Sequence, residues 1–256
     1  MSKAWTIGLF ITWILVIFIA PIFATHDPRQ TDTSNILQPP QHTYLLGTDN
    51  LGRDVFSRTV HGGRQTIGIA TSALLIAVVA SLIIAITILL APQSLQNIAK
   101  IVLNAWLAFP PLLMALIVLT SLGRGAIPIA IATGFSQLPY YLRFTISTLQ
   151  QYQTQPYVLT AKSLGASRWH IMKNHILPNS RPNLVSYATV IFAYCIINSA
   201  ALSLLGLGGD PSIPDWGIML ATGRDAFRYA PWVAIAPAVA ITITIILTNQ
   251  LADTIR

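Results

Sequence analysis

Long uncharged apolar stretches, separated by short polar connections, dominate the pattern of this chain. A helix that crosses a bilayer needs about 20 mostly apolar residues. Six stretches meet or approach that length: Ala4–Ala24, Gln65–Ala99, Ile101–Leu122, Gly125–Leu142, Pro182–Leu205 and Tyr229–Ala252. The second stretch ends in a polar break, and the fourth is the shortest and holds two prolines. The pattern predicts an all-α polytopic membrane protein with six transmembrane helices.

Composition strengthens this prediction. Of the 256 residues, 54% are hydrophobic and only 9% are charged, whereas a soluble domain carries about 25% charged residues. The mean hydropathy is +0.62, which excludes a soluble enzyme. The pI near 9.9 would suggest a nucleic-acid partner in a soluble chain. Here the charges lie between apolar spans, so we expect a lipid bilayer as partner and no nucleic acid.

The first stretch admits two interpretations, a cleaved signal peptide or an uncleaved anchor. Its apolar part is longer than the roughly 7–15 residues of a signal-peptide core, which favours the anchor. Six spans put both termini on one side of the membrane, and positively charged residues favour the cytoplasm. All four lysines fall inside if the N-terminus is inside, so we predict an N-in/C-in orientation.

The long polar connections suggest a division into two parts. Residues 1–64 are predicted to form a membrane anchor and an extracytoplasmic segment, and residues 65–256 hold the other five helices and a cytoplasmic segment at about 150–181. The single cysteine, Cys195, lies in an apolar run and is interpreted as a small buried hydrophobic residue.

The spans offer no chemistry that could power transport. Ion-coupled transporters need ionisable groups inside the bilayer, but every Asp lies outside the apolar runs or at their edge, and the chain has no Glu. No Gly-Lys dipeptide of a phosphate-binding loop occurs. His170 and His175 are five residues apart, not the four that place two ligands on one helical face. We therefore predict no catalytic residue, metal site or cofactor in this chain, and an energy source in another subunit.

The cytoplasmic segment between the fourth and fifth spans predicts two short helices joined by a glycine. Tyr157–Gly165 forms the first, and Gly165 supplies the left-handed position that closes it. Ser167 can cap the second helix, Arg168–Ile176, and Pro178 is expected to end it. We interpret this unit as a stiff lever on the inner face; a plain connecting loop is the alternative. Its defining residues are Tyr157, Val158, Ala161, Leu164, Gly165, Ala166, Ile176, Leu177 and Pro178, with Val158, Ala161 and Leu164 expected on one face.

Several motifs resemble one family of membrane proteins. Ala161, Gly165 and Ile176-Leu177-Pro178 resemble the "EAA…G…I-LP" signature of binding-protein-dependent ABC importer permeases. Leu46–Arg58 closely resembles the "LGTDxLGRDxxSR" segment of the oligopeptide/dipeptide/nickel permease family. The later runs Ser203–Gly208, Pro214–Gly217 and Ala230–Trp232 fit the same family in the same order. From about Leu45 onward, the chain is similar to the second, C-type, permease subunit.

The resemblance implies the type I ABC importer permease fold in a bacterial inner membrane. It also implies a homologous second permease subunit, two cytoplasmic ATPase subunits that bind ATP and Mg²⁺, and an extracytoplasmic solute-binding protein. The helix before Gly165 would be the coupling helix, and the working form would not be a homodimer. This chain departs from the signature with Leu159-Thr160-Ala161 in place of Glu-Ala-Ala. The segment is therefore basic, through Lys162, Arg168 and Lys173, which suits an acidic rim on the ATPase.

The outer motif is expected to brace the extracytoplasmic surface for the binding protein rather than contact a ligand. Thr48 or Asp49 can cap a helix, and Asp54 with Arg58 has the spacing of an exposed i,i+4 ion pair. Trp216 and Trp232 suit aromatic anchors at the membrane interface. The residues assigned to the motif are Gly47, Thr48, Asp49, Gly52, Arg53, Asp54, Ser57 and Arg58.

Polar residues of the fifth span are candidates for a translocation path or a subunit interface. They are Tyr194, Asn198, Ser199 and Ser203; hydrogen bonding between helices of this chain is the alternative. The functional alternative to a permease is a non-transporting membrane scaffold or receptor that binds an ATPase. A permease should direct Asn198 toward the path or the partner. The substrate stays open between a di- or oligopeptide and nickel or a metal chelate.

Overall fold

The computed structural model describes the backbone of residues 3–255 and the side chains of residues 5–255. Arg256 and the Lys3 side chain, which the charge pattern counts as cytoplasmic, lie outside this part. The described α-helices are α1 (Lys3–Ile19), α2 (Val55–Leu90), α3 (Gln93–Leu107), α4 (Pro111–Leu122), α5 (Ala126–Gln153), α6 (Pro156–Ser163), α7 (Arg168–Ile171), α8 (Leu177–Leu202), α9 (Trp216–Ala226) and α10 (Trp232–Ile255). Short 3₁₀ helices occupy Ala20–Phe23 and Thr33–Asn35.

Within the described part of the chain, four continuous helices are long and apolar enough to cross a membrane. They contain α1, α2, α8 and α10. The pair α3 and α4 would make a fifth span, but it is bent by 90° where the sequence predicts one straight helix over Ile101–Leu122. Pro110 and Pro111 explain the bend, because proline cannot donate the backbone hydrogen bonds that would continue α3. The second predicted span, Gln65–Ala99, is also displaced. The helix found there, α2, begins at Val55 and ends at Leu90.

The fourth predicted span, Gly125–Leu142, is shorter than the helix that the structure shows there. Helix α5 continues to Gln153, about 42 Å at 1.5 Å per residue, and is not among the helices that qualify by apolarity. It packs against α2, α4 and α8. A Cβ on Gly134 would lie 2.8 Å from the Ala73 carbonyl oxygen of α2, so the two backbones approach closely. Because neighbouring helices cover α5, it tolerates polar residues that a lipid-facing span would not.

Side-chain hydrogen bonds link the packed helices. Ser81 of α2 donates to the Leu138 carbonyl of α5 at 3.0 Å. Tyr141 of α5 donates to the Leu184 carbonyl of α8 at 3.0 Å. Trp13 of α1 donates to Thr244 of α10 at 2.9 Å, which holds the N-terminal helix on the bundle. Such bonds hold apolar helices together where lipid offers no hydrophobic driving force.

Two ends of the bundle carry the connections. We name the end with residues 20–54 the outer end and the end with residues 154–176 the inner end, following the predicted orientation. At the outer end, α2 includes the predicted boundary between residues 64 and 65, so the two predicted parts share one continuous helix. A π turn at Ser203–Leu207 follows α8 there, with Gly206 at φ 82°.

At the inner end, the second short helix does not end at Pro178, contrary to the sequence prediction. Helix α7 passes through a π turn, Met172–Ile176, directly into α8. The Leu177 N–H donates to the Met172 carbonyl, five residues back, and Pro178 stands in the first turn of α8. The π turn just before Pro178 lets the helix continue past this residue, although proline has no N–H to donate to the preceding turn. The lever and the fifth span are therefore one helix.

Candidate functional site

The inner segment is a short helix closed by a defined turn. Helix α6 starts with Pro156 in its first turn. Its end is a Schellman motif: the Gly165 N–H donates to the Lys162 carbonyl at 3.0 Å, and the Ala166 N–H donates to the Ala161 carbonyl at 3.1 Å. Gly165 has φ +83°, the left-handed conformation that favours glycine. The turn fixes the direction in which the chain leaves α6.

One buried residue anchors this segment to the bundle. Val158 is fully buried and lies in a cluster with Leu149 of α5 and with Ile171, Met172 and Ile176. Ala161, Ala166 and Leu177 are partly buried against the same cluster. The segment is therefore packed against the ends of α5 and α8.

The other face of the segment is exposed and partly apolar. Leu164 is 82% exposed, which makes the predicted common face of Val158, Ala161 and Leu164 wrong for Leu164. Its φ and ψ of −81° and 4° take it off the helix at the C-cap position, so its side chain leaves the buried face. Leu159 and Trp169 are more than half exposed as well, and Tyr157 is exposed at 39%.

The predicted cations lie in the same segment of the chain. Lys162, Arg168 and Lys173 are exposed, and none of them forms an ion pair with the described side chains. Ser167 caps α7 as predicted, accepting a hydrogen bond from the His170 N–H at 3.2 Å. The His170 and His175 rings are 5.9 Å apart. Among the described residues, no group of three or more His, Cys, Asp or Glu side chains could hold a metal ion.

The outer motif is buried, and its pairing differs from the prediction. Asp54, not Thr48 or Asp49, caps α2, with its carboxylate accepting from the Ser57 N–H at 3.0 Å. Arg58 does not pair with Asp54. Its Nε lies 3.6 Å from the Asp49 carboxylate, and the Arg53 Nε lies 2.7 Å from the same carboxylate. These charged residues are at most 3% exposed, so the expected exposed surface pair is wrong.

The two arginines join distant parts of the outer end. Arg58 donates to the Pro28 carbonyl at 2.8 Å and to the Pro211 carbonyl at 3.0 Å. Arg53 donates to the same Pro211 carbonyl at 3.0 Å. Gly47 and Gly52, both at φ +71°, turn the chain between these contacts. The motif thus fastens the first outer segment to the loop before α9.

Of the two tryptophans at the outer end, Trp216 is buried and Trp232 is partly buried. Trp216 is 1% exposed and donates to the Thr59 carbonyl at 2.7 Å, so the predicted interfacial anchor is wrong for this residue. The Gly63 position of α2 leaves room for its ring. Trp232 donates to the Thr48 carbonyl at 3.2 Å. Asp215 caps α9 through the Ile218 N–H at 3.1 Å, and burial raises the pKa of this carboxyl.

The four polar residues of the fifth span separate into two pairs. Tyr194 and Asn198 line a cavity of about 400 Å³ together with Gln137, Tyr140 and Tyr187. Ser199 and Ser203 are buried. Ser199 donates to the Ile196 carbonyl of its own helix, and Ser203 packs against the Gly217 position of α9. The structure therefore brings only Tyr194 and Asn198 to an open surface.

Sequence reasoning missed an arginine beside this cavity. Arg143 is exposed and lines an adjoining cavity of about 440 Å³ with Tyr140, Phe144 and Tyr187. The sequence pattern assigns it to the cytoplasmic side because it directly follows the apolar stretch that ends at Leu142. Helix α5 continues for ten further residues to Gln153. Arg143 therefore lies within a helix and not in a connection, beside the cavity of Tyr194 and Asn198.

Comparison with known proteins identifies the family. Residues 77–256 match the family model described as "Binding-protein-dependent transport system inner membrane component". The chain is 32% identical to the di/tripeptide transport system permease protein DppC of Pseudomonas aeruginosa, over 98% of this chain and 86% of that protein. It is 31% identical to the probable D,D-dipeptide transport system permease protein DdpC of Escherichia coli, over 97% and 83%. It is 32% identical to the glutathione transport system permease protein GsiD of Pectobacterium atrosepticum, over 97% and 83%.

A solved structure supports the fold. An inward-facing structure of the MetNI methionine ABC transporter matches with a TM-score of 0.64 and 17% identity, covering 77% of this chain and 93% of that chain. This agreement confirms the predicted type I importer permease fold. Together with the matched residues 77–256, it shows that the chain belongs to the family of binding-protein-dependent transport system inner membrane components, as a permease subunit of an ABC importer.

Proposed function

We propose that this chain forms, with a homologous second permease subunit, the path by which short peptides enter the cytoplasm. Two ATPase subunits that bind ATP and Mg²⁺ would supply the energy, and an extracytoplasmic binding protein would deliver the peptide. The chain itself would hold no cofactor and catalyse no reaction. The observation that carries the coupling part of this proposal is the continuity between the inner segment and α8.

The inner segment has the properties of a lever. Val158 anchors α6 in the cluster that contains Ile171 and Ile176, and α7 continues without a break into α8. A displacement of α6 by an ATPase would therefore pass to the helix that carries Tyr194 and Asn198. The exposed Leu164 and Leu159 offer apolar area that a cleft on the ATPase could bury, and such anchors dominate interface energies.

The two adjoining cavities form one groove between α5 and α8, and its lining favours a peptide as substrate. The cavities share Tyr140 and Tyr187, and Phe144, Tyr194 and Arg143 also line the groove. Aromatic rings and hydroxyl groups suit peptide side chains and carbonyls, and a guanidinium binds a terminal carboxylate well. The names of the relatives point to the same class of substrate. Nickel or a metal chelate is the alternative, and a guanidinium would repel a free dication.

The same groove favours a permease over a membrane scaffold. Asn198 is half-buried in a cavity, not hydrogen-bonded within the described helices as a purely structural residue would be. A scaffold has no need for a polar cavity beside its apolar spans, whereas a path requires one. A scaffold that binds an ATPase would use the inner segment alone.

The coupling proposal is tested on the reconstituted importer with its partner subunits. We expect Leu164→Gln to reduce ATPase retention on the complex and ATP-driven peptide uptake by about 10-fold, since one buried Leu contributes about 1.5–3 kcal/mol. Leu51→Gln, which changes an exposed leucine of the outer end, is the matched control for ATPase retention. Equal retention in the Leu164 variant would remove the inner segment from the contact.

The substrate and the path are tested separately. Uptake of a radiolabelled dipeptide and of ⁶³Ni²⁺ by proteoliposomes containing all subunits is compared at equal ATP hydrolysis. We expect dipeptide uptake without nickel uptake, and lower dipeptide uptake for Asn198→Leu. Uptake of nickel alone would reverse the substrate assignment, and hydrolysis without uptake of any solute would favour the scaffold.

The subunit composition has its own test. Native mass spectrometry of a transport-competent complex should count one copy of this chain and one copy of a homologous permease. Two copies of this chain, with no other permease, would contradict the proposed heteromer.

A further inference from the structure

A second cavity lies at the inner end, outside the groove between α5 and α8. It has a volume of about 410 Å³ and is enclosed by the end of α2, the start of α3, the end of α5 and the segment that follows α6. Its polar wall consists of Lys162 and Arg168 with the side chains of four glutamines, among them Gln150 and Gln153. Its other wall is apolar, with Leu89, Leu90 and Ile171 among its members.

The charge of this cavity is not neutralised by the described chain. No carboxylate lines it, and neither Lys162 nor Arg168 pairs with an acidic side chain within residues 5–255. Asp253, the acidic residue at the inner end, belongs to α10 and is not among the residues that line the cavity. An ammonium, a guanidinium and several amides are the donors that proteins use for phosphate oxygens.

An apolar groove continues from the cavity along the outside of α2. It is lined by Ile83, Ile86, Leu90 and Trp169, and it shares Leu90 and Ala91 with the cavity. Ile83 is 62% exposed and Trp169 is 54% exposed. Because α2 is long and apolar enough to span a membrane and ends at Leu90, the groove continues the apolar surface of α2 at the inner end. Tryptophan is enriched where a membrane meets water.

We propose that the cavity and the groove together bind one anionic phospholipid of the inner leaflet. Lys162 and Arg168 hold its phosphate and its net negative charge, and the groove along α2 holds one acyl chain. A free phosphate ion could pair with the two cations but would leave the apolar groove empty. Basic pockets at the cytoplasmic ends of transmembrane helices bind anionic headgroups in this way.

This site gives the lipid a contact with the inner segment and with α2 at the same time. Gln96 donates to the Ala91 carbonyl at 3.0 Å, so the turn between α2 and α3 is held in place beside the cavity. A bound lipid would add a bridge from this turn to Lys162 and Arg168. The proposal concerns the resting position of the inner segment and does not depend on which solute is carried.

The test measures lipid retention on the complete importer by native mass spectrometry in mild detergent. The complex is titrated with phosphatidylglycerol, with phosphatidylcholine of the same chains, and with inorganic phosphate. We expect one tightly retained phosphatidylglycerol per copy of this chain. The double variant Lys162→Gln/Arg168→Gln should lose about 30-fold in affinity, because each basic residue near the headgroups contributes about 5-fold.

The matched control is Lys100→Gln/Lys173→Gln, which removes the same charge from exposed inner-end lysines that do not line the cavity. The control should keep its lipid, and Trp169→Ala should weaken lipid retention but leave phosphate binding unchanged. An equal loss in the control would reduce the effect to diffuse surface charge. Equal binding of phosphatidylcholine, or binding of phosphate as tight as that of the lipid, would also overturn the site. Retention of phosphatidylglycerol by the permease subunits alone, but not by the complete importer, would overturn it as well, since the cations would then belong to the ATPase interface.

Discussion

The outer and inner ends of this protein differ in the burial and pairing of their charged residues. At the outer end, Asp49, Arg53 and Arg58 are at most 3% exposed and bond to one another or to carbonyls. At the inner end, Lys162 and Arg168 are exposed and unpaired within the described residues. The charged residues of the outer end therefore stabilise the chain itself, whereas those of the inner end are available to partners.

The difference follows from what surrounds each segment. The outer residues lie beneath the loop of Pro211 and the segment of Pro28, which supply carbonyl acceptors. A buried charge must be paired, or it costs several kcal/mol. The inner segment is covered on one face only, through Val158, so its other face is open to a partner.

The strongest test of the outer network is Asp49→Asn. This change keeps the shape of the side chain but leaves two buried arginines without a carboxylate, and breaking a buried pair costs about 3–5 kcal/mol. We expect a marked fall in the melting temperature of the purified complex and in the amount of folded chain. Asp225→Asn is the control, since its pair with Arg224 is exposed and is worth at most about 1 kcal/mol. Equal stability of the two variants would contradict the comparison.

Alanine substitutions at two glycines in the left-handed conformation provide a second comparison of the outer and inner ends. Gly52 and Gly165 have φ values of +71° and +83°, so both substitutions cost about 1–2 kcal/mol of backbone strain. At Gly52 the new Cβ would also overlap the Asp32 backbone, whereas at Gly165 nothing lies within 4 Å. Overpacking adds about 1–3 kcal/mol. We therefore expect Gly52→Ala to lower the melting temperature clearly more than Gly165→Ala does. A larger decrease for Gly165→Ala would contradict the crowding at Gly52.

Larger side chains at Gly165 test whether the inner turn matters for coupling rather than for folding. Gly165→Val should reduce uptake by about 10-fold, because a β-branched residue disfavours the left-handed conformation by about 1–2 kcal/mol. Gly165→Asn should retain most of the uptake, because asparagine adopts this conformation more readily. Both variants should insert and assemble normally. Full ATP-driven uptake by the valine variant would count against a lever.

The smallest expected effect concerns the exposed rim of the outer end. Hydrogen bonds from Ser34 and Asn35 hold the pKa of Asp32 below its ordinary value. The stabilisation from this carboxylate is present above the unfolded-state pKa and is lost as the pH falls through the lowered folded-state pKa. We expect Ser34→Ala to raise the pKa of Asp32 toward its ordinary value, measured by NMR titration of labelled carboxyl carbons. Asp210, whose pKa is lowered by Ser212, should not move.

Much of the fold and the family could be predicted from local sequence. Apolar stretches locate the spans because a bilayer requires about 20 apolar residues whatever the tertiary fold. Gly165 predicts a helix end because few other residues adopt its backbone conformation. The motifs from Leu46 onward identify the family, and the matched relatives confirm it. These signals depend on neighbouring residues only.

The tertiary structure decided which residues pair and which remain open. The spacing of Asp54 and Arg58 fits an ion pair, but Arg58 instead contacts Asp49 and carbonyls up to 154 residues away. Helix α5 extends beyond Arg143 because packing, rather than apolarity, supports it. The sequence alone determined that the chain is a helical membrane protein of this family. Burial is a property of the assembled helices, so only the packed structure separates the closed outer charges from the open inner ones.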